Sequence, residues 1–228
     1  MPRLVLVVEG QTEETFVNSV LREHLASFSV YASASRVETR RGGQKGGMTT
    51  YARARGQIER WMKQEHAHAD VHFTTMFDLY EIPKDFPGFT ESRVITDPLL
   101  RAVRMEDSLG ADLPHPRFIP YLQVHEFEAL LFADPSKIGA YYPSRDKEIQ
   151  GLLAAVAGFP SPEHIDDGEA TAPSKRIISA IPEYDGHKPV AGPVIALEIG
   201  LPVLRAKCTH FAEWLARLEA LGVTPAGG

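Results

Sequence analysis

Five consecutive aliphatic residues, Leu4 to Val8, are followed at once by Glu9-Gly10-Gln11-Thr12-Glu13. A run this short with no polar residue fits a central parallel strand covered on both faces. Gly10 permits a tight turn out of it, and a helix is predicted to start near Thr12. Glu9 then stands at the carboxyl end of the strand and Glu13 in the first helical turn. Ligands of open α/β sheets bind outside the carboxyl ends of the strands, so both acids are expected to face one crevice. The helix dipole alone favours acids at Glu13 and Glu14. It does nothing for Glu9, because a carboxylate that ends an apolar strand is costly unless it is solvated, paired or bound to a cation. A divalent metal ion would account for its position.

The arrangement returns at Val71 to Phe77, a β-rich run that ends on Asp78. Two adjacent parallel strands with acids at the same end bring those acids within reach of one ion. A third strand is expected over 118–124, leading into His125-Glu126-Phe127-Glu128-Ala129-Leu130-Leu131-Phe132. Glu126 and Glu128 share a face if they end a strand and diverge by about 200° on a helix, so the spacing leaves open which of them enters the crevice. His125 beside them suits a proton shuttle or an orienting group. Between the strands, 49–66 reads as an amphipathic helix offering Tyr51, Ile58, Trp61 and Met62 to a core, with Arg53, Arg55, Arg60 and Lys63 elsewhere. Residues 90–110 read as helix plus loop, with Leu99, Leu100 and Val103 as the apolar stripe.

Charge is distributed unevenly. The chain carries -6 overall, but from Arg36 to Lys63 eight Lys or Arg face two Glu, so that segment is +6 and the remainder -12. A local basic surface is what phosphate contact requires. Its centre is a glycine-rich loop at 36–48 containing Arg40, Arg41 and Lys45. It lacks the P-loop spacing, and no convincing strand precedes it. A solvated loop is the alternative. One cysteine, Cys208, excludes an internal disulfide and a multi-cysteine zinc site. His66, His68 and His72 fall at a helix end and in a strand, a poor zinc arrangement. The chain opens directly on its first strand and has no apolar run near 18 residues, so a cytoplasmic protein without a membrane segment is expected. No G-x-S-x-G, G-x-G-x-x-G or C-x-x-C is present.

From residue 135 onward helices are expected at 149–156, 174–181, 194–198 and 205–221. The last has Phe211, Trp214, Leu215 and Leu218 at helical spacing for a core. The expected organisation is an α/β core over 1–134, with the basic loop inserted, and a helical region over 135–228 packed on the same domain.

On Val8-Glu9-Gly10-Gln11-Thr12-Glu13 and Phe77-Asp78, the first half of the chain resembles the Toprim family, the metal-dependent catalytic domain of topoisomerases, primases and OLD-type nucleases. Nearly the whole chain resembles a narrower Toprim-like bacterial family, domain-of-unknown-function family 4276. The shared residues are Phe77-Asp78-Leu79-Tyr80, the segment His125 to Phe132, Thr171-Ala172-Pro173-Ser174-Lys175-Arg176 and Ile199-Gly200-Leu201. The resemblance implies a Rossmann-like parallel sheet flanked by helices and a Mg²⁺- or Mn²⁺-dependent nuclease. It implies one ion near Glu9 and Asp78, a second near Glu13 and the Glu126/Glu128 pair, and a lysine that stabilises the transition state. Lys175 is the candidate, with Lys188 and Arg176 as alternatives. DNA, ahead of RNA, is the implied partner, contacted through Arg40, Arg41, Lys45 and Arg53. A separate ATPase subunit in a phage-defence system is implied as well, and oligomeric state is left open. The family's second acidic strand usually reads Asp-x-Asp, and here the second position is Tyr80. That departure keeps two other readings in play: a non-catalytic nucleic-acid-binding or regulatory subunit, and a phosphotransfer enzyme acting on a small nucleotide.

Overall fold

Leu4, Leu6, Val7 and Val8 are fully buried, as a strand covered on both faces requires. The computed structural model describes residues 1–37, 48–165 and 168–222. The first strand, β1 (Arg3–Val8), leads into α1 (Gln11–Phe16), which continues through a π turn at Val17–Leu21 into α2 (Arg22–Ser27). β2 (Tyr31–Arg36), α3 (Tyr51–Gln64) and β3 (Val71–Asp78) follow. Next come α4 (Phe89–Ser92), α5 (Pro98–Asp112) and two short strands, β4 (Phe118–Ile119) and β5 (Leu122–Gln123). The rest is helical: 3₁₀ turns at Phe127–Ala133 and Pro135–Ala140, then α6 (Asp146–Val156), α7 (Pro173–Ala180), α8 (Tyr184–Ile199), α9 (Leu201–Lys207) and α10 (Thr209–Glu219).

Among the described residues all strand pairs are parallel, in the order β2-β1-β3-β4, with β5 also pairing β3. Alternation of side chains along β1 divides the interior in two. Leu4, Leu6 and Val8 join a large cluster with Phe16, Phe127, Tyr184, Phe211 and Leu215, whereas Val5 and Val7 join Phe73, Phe77, Ile58 and Met105 on the opposite face. The molecule is therefore α/β, a parallel sheet with helices on both faces. Val8 registers with Met76, and Asp78 with Gln123, so the carboxyl ends of β1, β3 and β5 open onto one edge.

Several elements differ from the sequence reading. β2 was not foreseen, although it immediately precedes the basic loop. It is an edge strand of Ala, Ser and Tyr, residues with little apolar signal. Side chains of α3 fasten it: Gln57 donates to Ser35 Oγ and the Arg36 carbonyl, and Trp61 Nε1 donates to Ser35 Oγ at 3.0 Å. The expected third strand is broken at Pro120-Tyr121, where proline has no amide to give to a ladder. Thr75 bridges the break, its hydroxyl donating to the Tyr121 carbonyl at 2.8 Å while accepting the Tyr121 amide at 3.0 Å.

The stripe foreseen on α5 is rotated. Ala102, Met105 and Leu109 are buried, whereas Leu100 and Val103 are exposed. Helix α8 is far longer than expected because it runs through Pro189 and Pro193, and the expected terminal helix is broken in two at Cys208. Among the described residues no single helix is long and apolar enough to cross a membrane. Helices α8 and α9 reach that length and composition only together, and they bend by 86°.

Candidate metal and phosphate site

Glu9 leaves the end of β1 and turns back across the sheet edge. Its Oε2 accepts the Asp78 amide and its Oε1 the Met48 amide, both at 3.1 Å. One carboxylate thus ties β1 to the end of β3 and to Met48, the last residue of the 36–48 stretch. Glu13 is buried in the first turn of α1 and accepts the Gly10 amide at 2.8 Å. The reason for glycine here differs from the expected turn. Gly10 is extended, with φ -140°, but a Cβ on it would stand 3.0 Å from Glu13 Oε2. The missing side chain makes room for the carboxylate. Asp78 ends β3 with its Oδ1 enclosed and without a hydrogen-bond partner.

Glu126 and Glu128 arrive from the opposite wall. Neither an α-helix nor a strand end describes them. Glu126 is extended and immediately precedes the 3₁₀ turn that contains Glu128, and both are buried. The tight turn keeps both in the interior. Glu126 accepts the Ser174 amide at the N-terminus of α7, and Glu128 accepts the Tyr184 hydroxyl at 3.2 Å. Lys188, one turn further along α8, places Nζ 3.6 Å from Glu128 Oε1. Helix α8 comes this close because of Gly192, where a Cβ would meet Phe127 at 3.0 Å and Thr12 at 3.3 Å.

The five acids act on one another. Burial, followed by repulsion from Glu13, Glu9, Glu126 and Glu128, pushes the Asp78 carboxyl well above the usual carboxylate range. Burial raises Glu13 to about 8, reinforced by Glu9 and Glu128. Burial and the neighbouring Glu128 raise Glu126 to about 7, against the opposing pull of the Ser174 amide and Lys188. Glu9 is raised by burial, opposed by its two backbone donors. The crevice accordingly holds protons at neutral pH. As the side chains stand, no three His, Cys, Asp or Glu among the described residues are gathered at ion-holding spacing.

Other candidates lie elsewhere. Lys175 is exposed on the first turn of α7, and Lys188, one of its alternatives, is the lysine brought to the acids. Sequence alone gave no way to choose between them, because only the fold of α8 over α1 brings Lys188 in. Tyr184, missed from sequence, is fully buried against Glu128. His125 is buried with φ 61°, and its Nε2 meets the Glu163 carbonyl at 3.0 Å, which fixes the turn before Glu126. Arg53 is exposed on α3; Arg40, Arg41 and Lys45 lie outside the described residues.

Two solved structures are similar to the chain, both of the C-terminal region of the Xanthomonas campestris pv. campestris OLD protein. One, phased with iodine, is 16% identical with a TM-score of 0.38 and covers 95% of this chain and 97% of that one. The other, phased with mercury, is 15% identical with a TM-score of 0.37 and covers 95% and 98%. Among curated proteins, none matches. A family model does match, over residues 8–219, a span that takes in all five acids together with Tyr184 and Lys188. The chain therefore belongs to the family described as Domain of unknown function (DUF4276).

Proposed function

We propose that the chain is a Toprim-like hydrolase of nucleic-acid phosphodiesters that works with Mg²⁺ or Mn²⁺ held at the crevice. The observation that carries this reading is the gathering of buried Glu13, Glu126 and Glu128 and half-buried Glu9 and Asp78 around one sheet edge, with Asp78 Oδ1 enclosed and unbonded. Clustering acids in this way destabilises the fold unless protons or a cation neutralise them. The donor set is all oxygen, which suits hard divalent ions over zinc or copper. Magnesium keeps several waters and needs one or two carboxylates, so a site whose side chains close only around the ion is compatible with these residues. Asp78 and Glu13 are best placed to hold it, with Glu126 or Glu128 on the far side.

When bound, such an ion supplies Lewis-acid polarisation of a phosphoryl oxygen and a water acidified towards neutral pH. The chain's own groups do the rest. Glu9 fixes the strand ends through two amides, the α7 N-terminus holds Glu126, and Tyr184 and Lys188 orient Glu128. Among the described residues Lys188 is the cation that pairs with one of these acids, and it stands ready for a phosphate that loses its bridging bond. Nucleic acid is the proposed partner, with the basic 36–63 segment, including Arg53, as its platform. An ATPase subunit, a role in phage defence and a cytoplasmic location belong to the same proposal.

A second reading is a non-catalytic nucleic-acid-binding subunit. It is favoured by Tyr80 in place of a second acid and by the lack of a preformed three-ligand cluster among the described residues. Calorimetric titration with Mn²⁺ and Mg²⁺, followed by plasmid, single-stranded DNA and RNA as substrates, separates the two. Ion binding that Asp78→Asn abolishes, together with cleavage, is the expected result. Ion binding without cleavage would favour the second reading, and no ion binding would sink the first.

A further inference from the structure

Beside the acidic crevice lies a cavity of about 280 Å³ between the Leu79–Ile82 loop and helices α4 and α5. Its Leu79 and Met105 lie on the face of the sheet opposite Phe127 and Tyr184, but its Glu81 is near enough to act on the Glu9 carboxyl, so the cavity meets the acids at the edge where Glu9 stands. Leu79, Phe89 and Met105 give it an apolar wall, Tyr80 adds a phenol ring, and Arg93 and Arg101 bring two guanidinium groups. Phosphate alone has no use for an apolar wall, and an apolar ligand has none for two arginines. A nucleotide has one part for each: a flat base to lie on apolar and aromatic surface, and a phosphate to take the arginine fork. The volume lies just below the usual range of small-molecule pockets, about 300–1,000 Å³, and so fits one nucleotide unit and no more.

Backbone strain at the same loop is a separate observation. Glu81, which also lines the cavity, sits at φ 58°, in the left-handed region a non-glycine residue adopts only when its surroundings impose it. Leu79 and Tyr80 still donate to the Gln123 and His125 carbonyls, so the chain leaves the sheet edge at the left-handed Glu81, three residues after Asp78. The Glu81 carboxylate supplies an acceptor for a base amino group.

We infer that this cavity receives the unpaired nucleotide flanking the scissile phosphate, which makes single-stranded nucleic acid the substrate class. The inference rests on the hydrolase reading for the words "scissile phosphate" but is tested without it. A base inside a duplex faces its partner and enters such a cavity only after unstacking and unpairing, at an energetic cost that a single strand does not bear.

The test is fluorescence anisotropy in EDTA, with a 5′-fluorescein 12-mer deoxyoligonucleotide and the same oligonucleotide annealed to its complement. The wild-type chain is expected to bind the single strand at least ten times more tightly than the duplex. Arg93→Glu, at an exposed position, and Tyr80→Ala are each expected to weaken single-strand binding about tenfold, the scale of one lost stacking or phosphate contact. Both should keep the wild-type Mn²⁺ titration. Equal affinity for strand and duplex, or unchanged affinity in both variants, would overturn the inference even if metal-dependent cleavage is present. Strand preference that is lost in the variants would uphold it even if no cleavage is found, a result that counts against the hydrolase reading alone.

Discussion

Replacing Glu13 with glutamine should stabilise the metal-free protein, and by more as pH rises. Burial raises Glu13 from 4.5 to about 8, so the folded chain keeps a proton there that the unfolded chain gives up. Stability from such a group is complete below pH 4.5 and is lost progressively as pH climbs towards about 8. The slope is about 1.4 kcal/mol per pH unit for one proton, and the difference between 4.5 and about 8 amounts to at most about 5 kcal/mol. Glutamine has the same shape, still accepts the Gly10 amide and carries no titration. Urea midpoints in EDTA at pH 5, 6, 7 and 8 check this, with the difference between variant and wild type cancelling the titration of His210 and other groups remote from Glu13. The variant should be several kcal/mol more stable at pH 8 and within about 1 kcal/mol of wild type at pH 5. Parallel curves, or a gap that shrinks with pH, would refute the account of a proton-holding crevice.

Three other outcomes are expected. Gly10→Ala, which places a Cβ 3.0 Å from Glu13 Oε2, should displace that carboxylate and weaken Mn²⁺ binding in calorimetry with little change in melting temperature. Lys188→Met should lower stability by about 1 kcal/mol more at pH 8 than at pH 5, because Glu126, held up at about 7, becomes charged between them and is drawn to this partly exposed cation; equal losses at both pH values would mean that Lys188 does not act on Glu126. Phe127→Ala, which removes a buried ring packed edge-on to Phe16 at 5.3 Å and against Gly192, should cost about 3–5 kcal/mol in urea unfolding.

Parts of the molecule that follow from strong local patterns were legible in the sequence. The aliphatic run of β1 and the β-branched and aromatic run of β3 announce buried strands, and the acid at the end of each lies at the shared carboxyl edge of the sheet. The Phe211, Trp214, Leu215 and Leu218 spacing led to a buried face, and all four are buried. What escaped was decided by tertiary partners. β2 has no apolar alternation because Gln57 and Trp61 hold it by polar contacts. Helix α8 contains two prolines, which ordinarily mark a break, yet its buried face of Ala191, Ile195, Ala196 and Ile199 is continuous. Lys188 and Tyr184 belong to that helix, so the groups that attend Glu128 could not be selected before its course was known.

The partners of the acids have an origin in the chain that bears on how the molecule is made. All five carboxylates lie before residue 129, whereas the Ser174 amide, the Tyr184 hydroxyl and Lys188 come from α7 and α8. During synthesis at about 5–20 residues per second, the ribosome needs several seconds between Glu128 and Lys188. Within that interval the three groups arrive in turn, Ser174 first and Lys188 last. Until they arrive the nascent sheet can close over these acids at neutral pH only by neutralising them with protons, so the hydrogen-bonded and ion-paired crevice is assembled only once the second half of the chain is present.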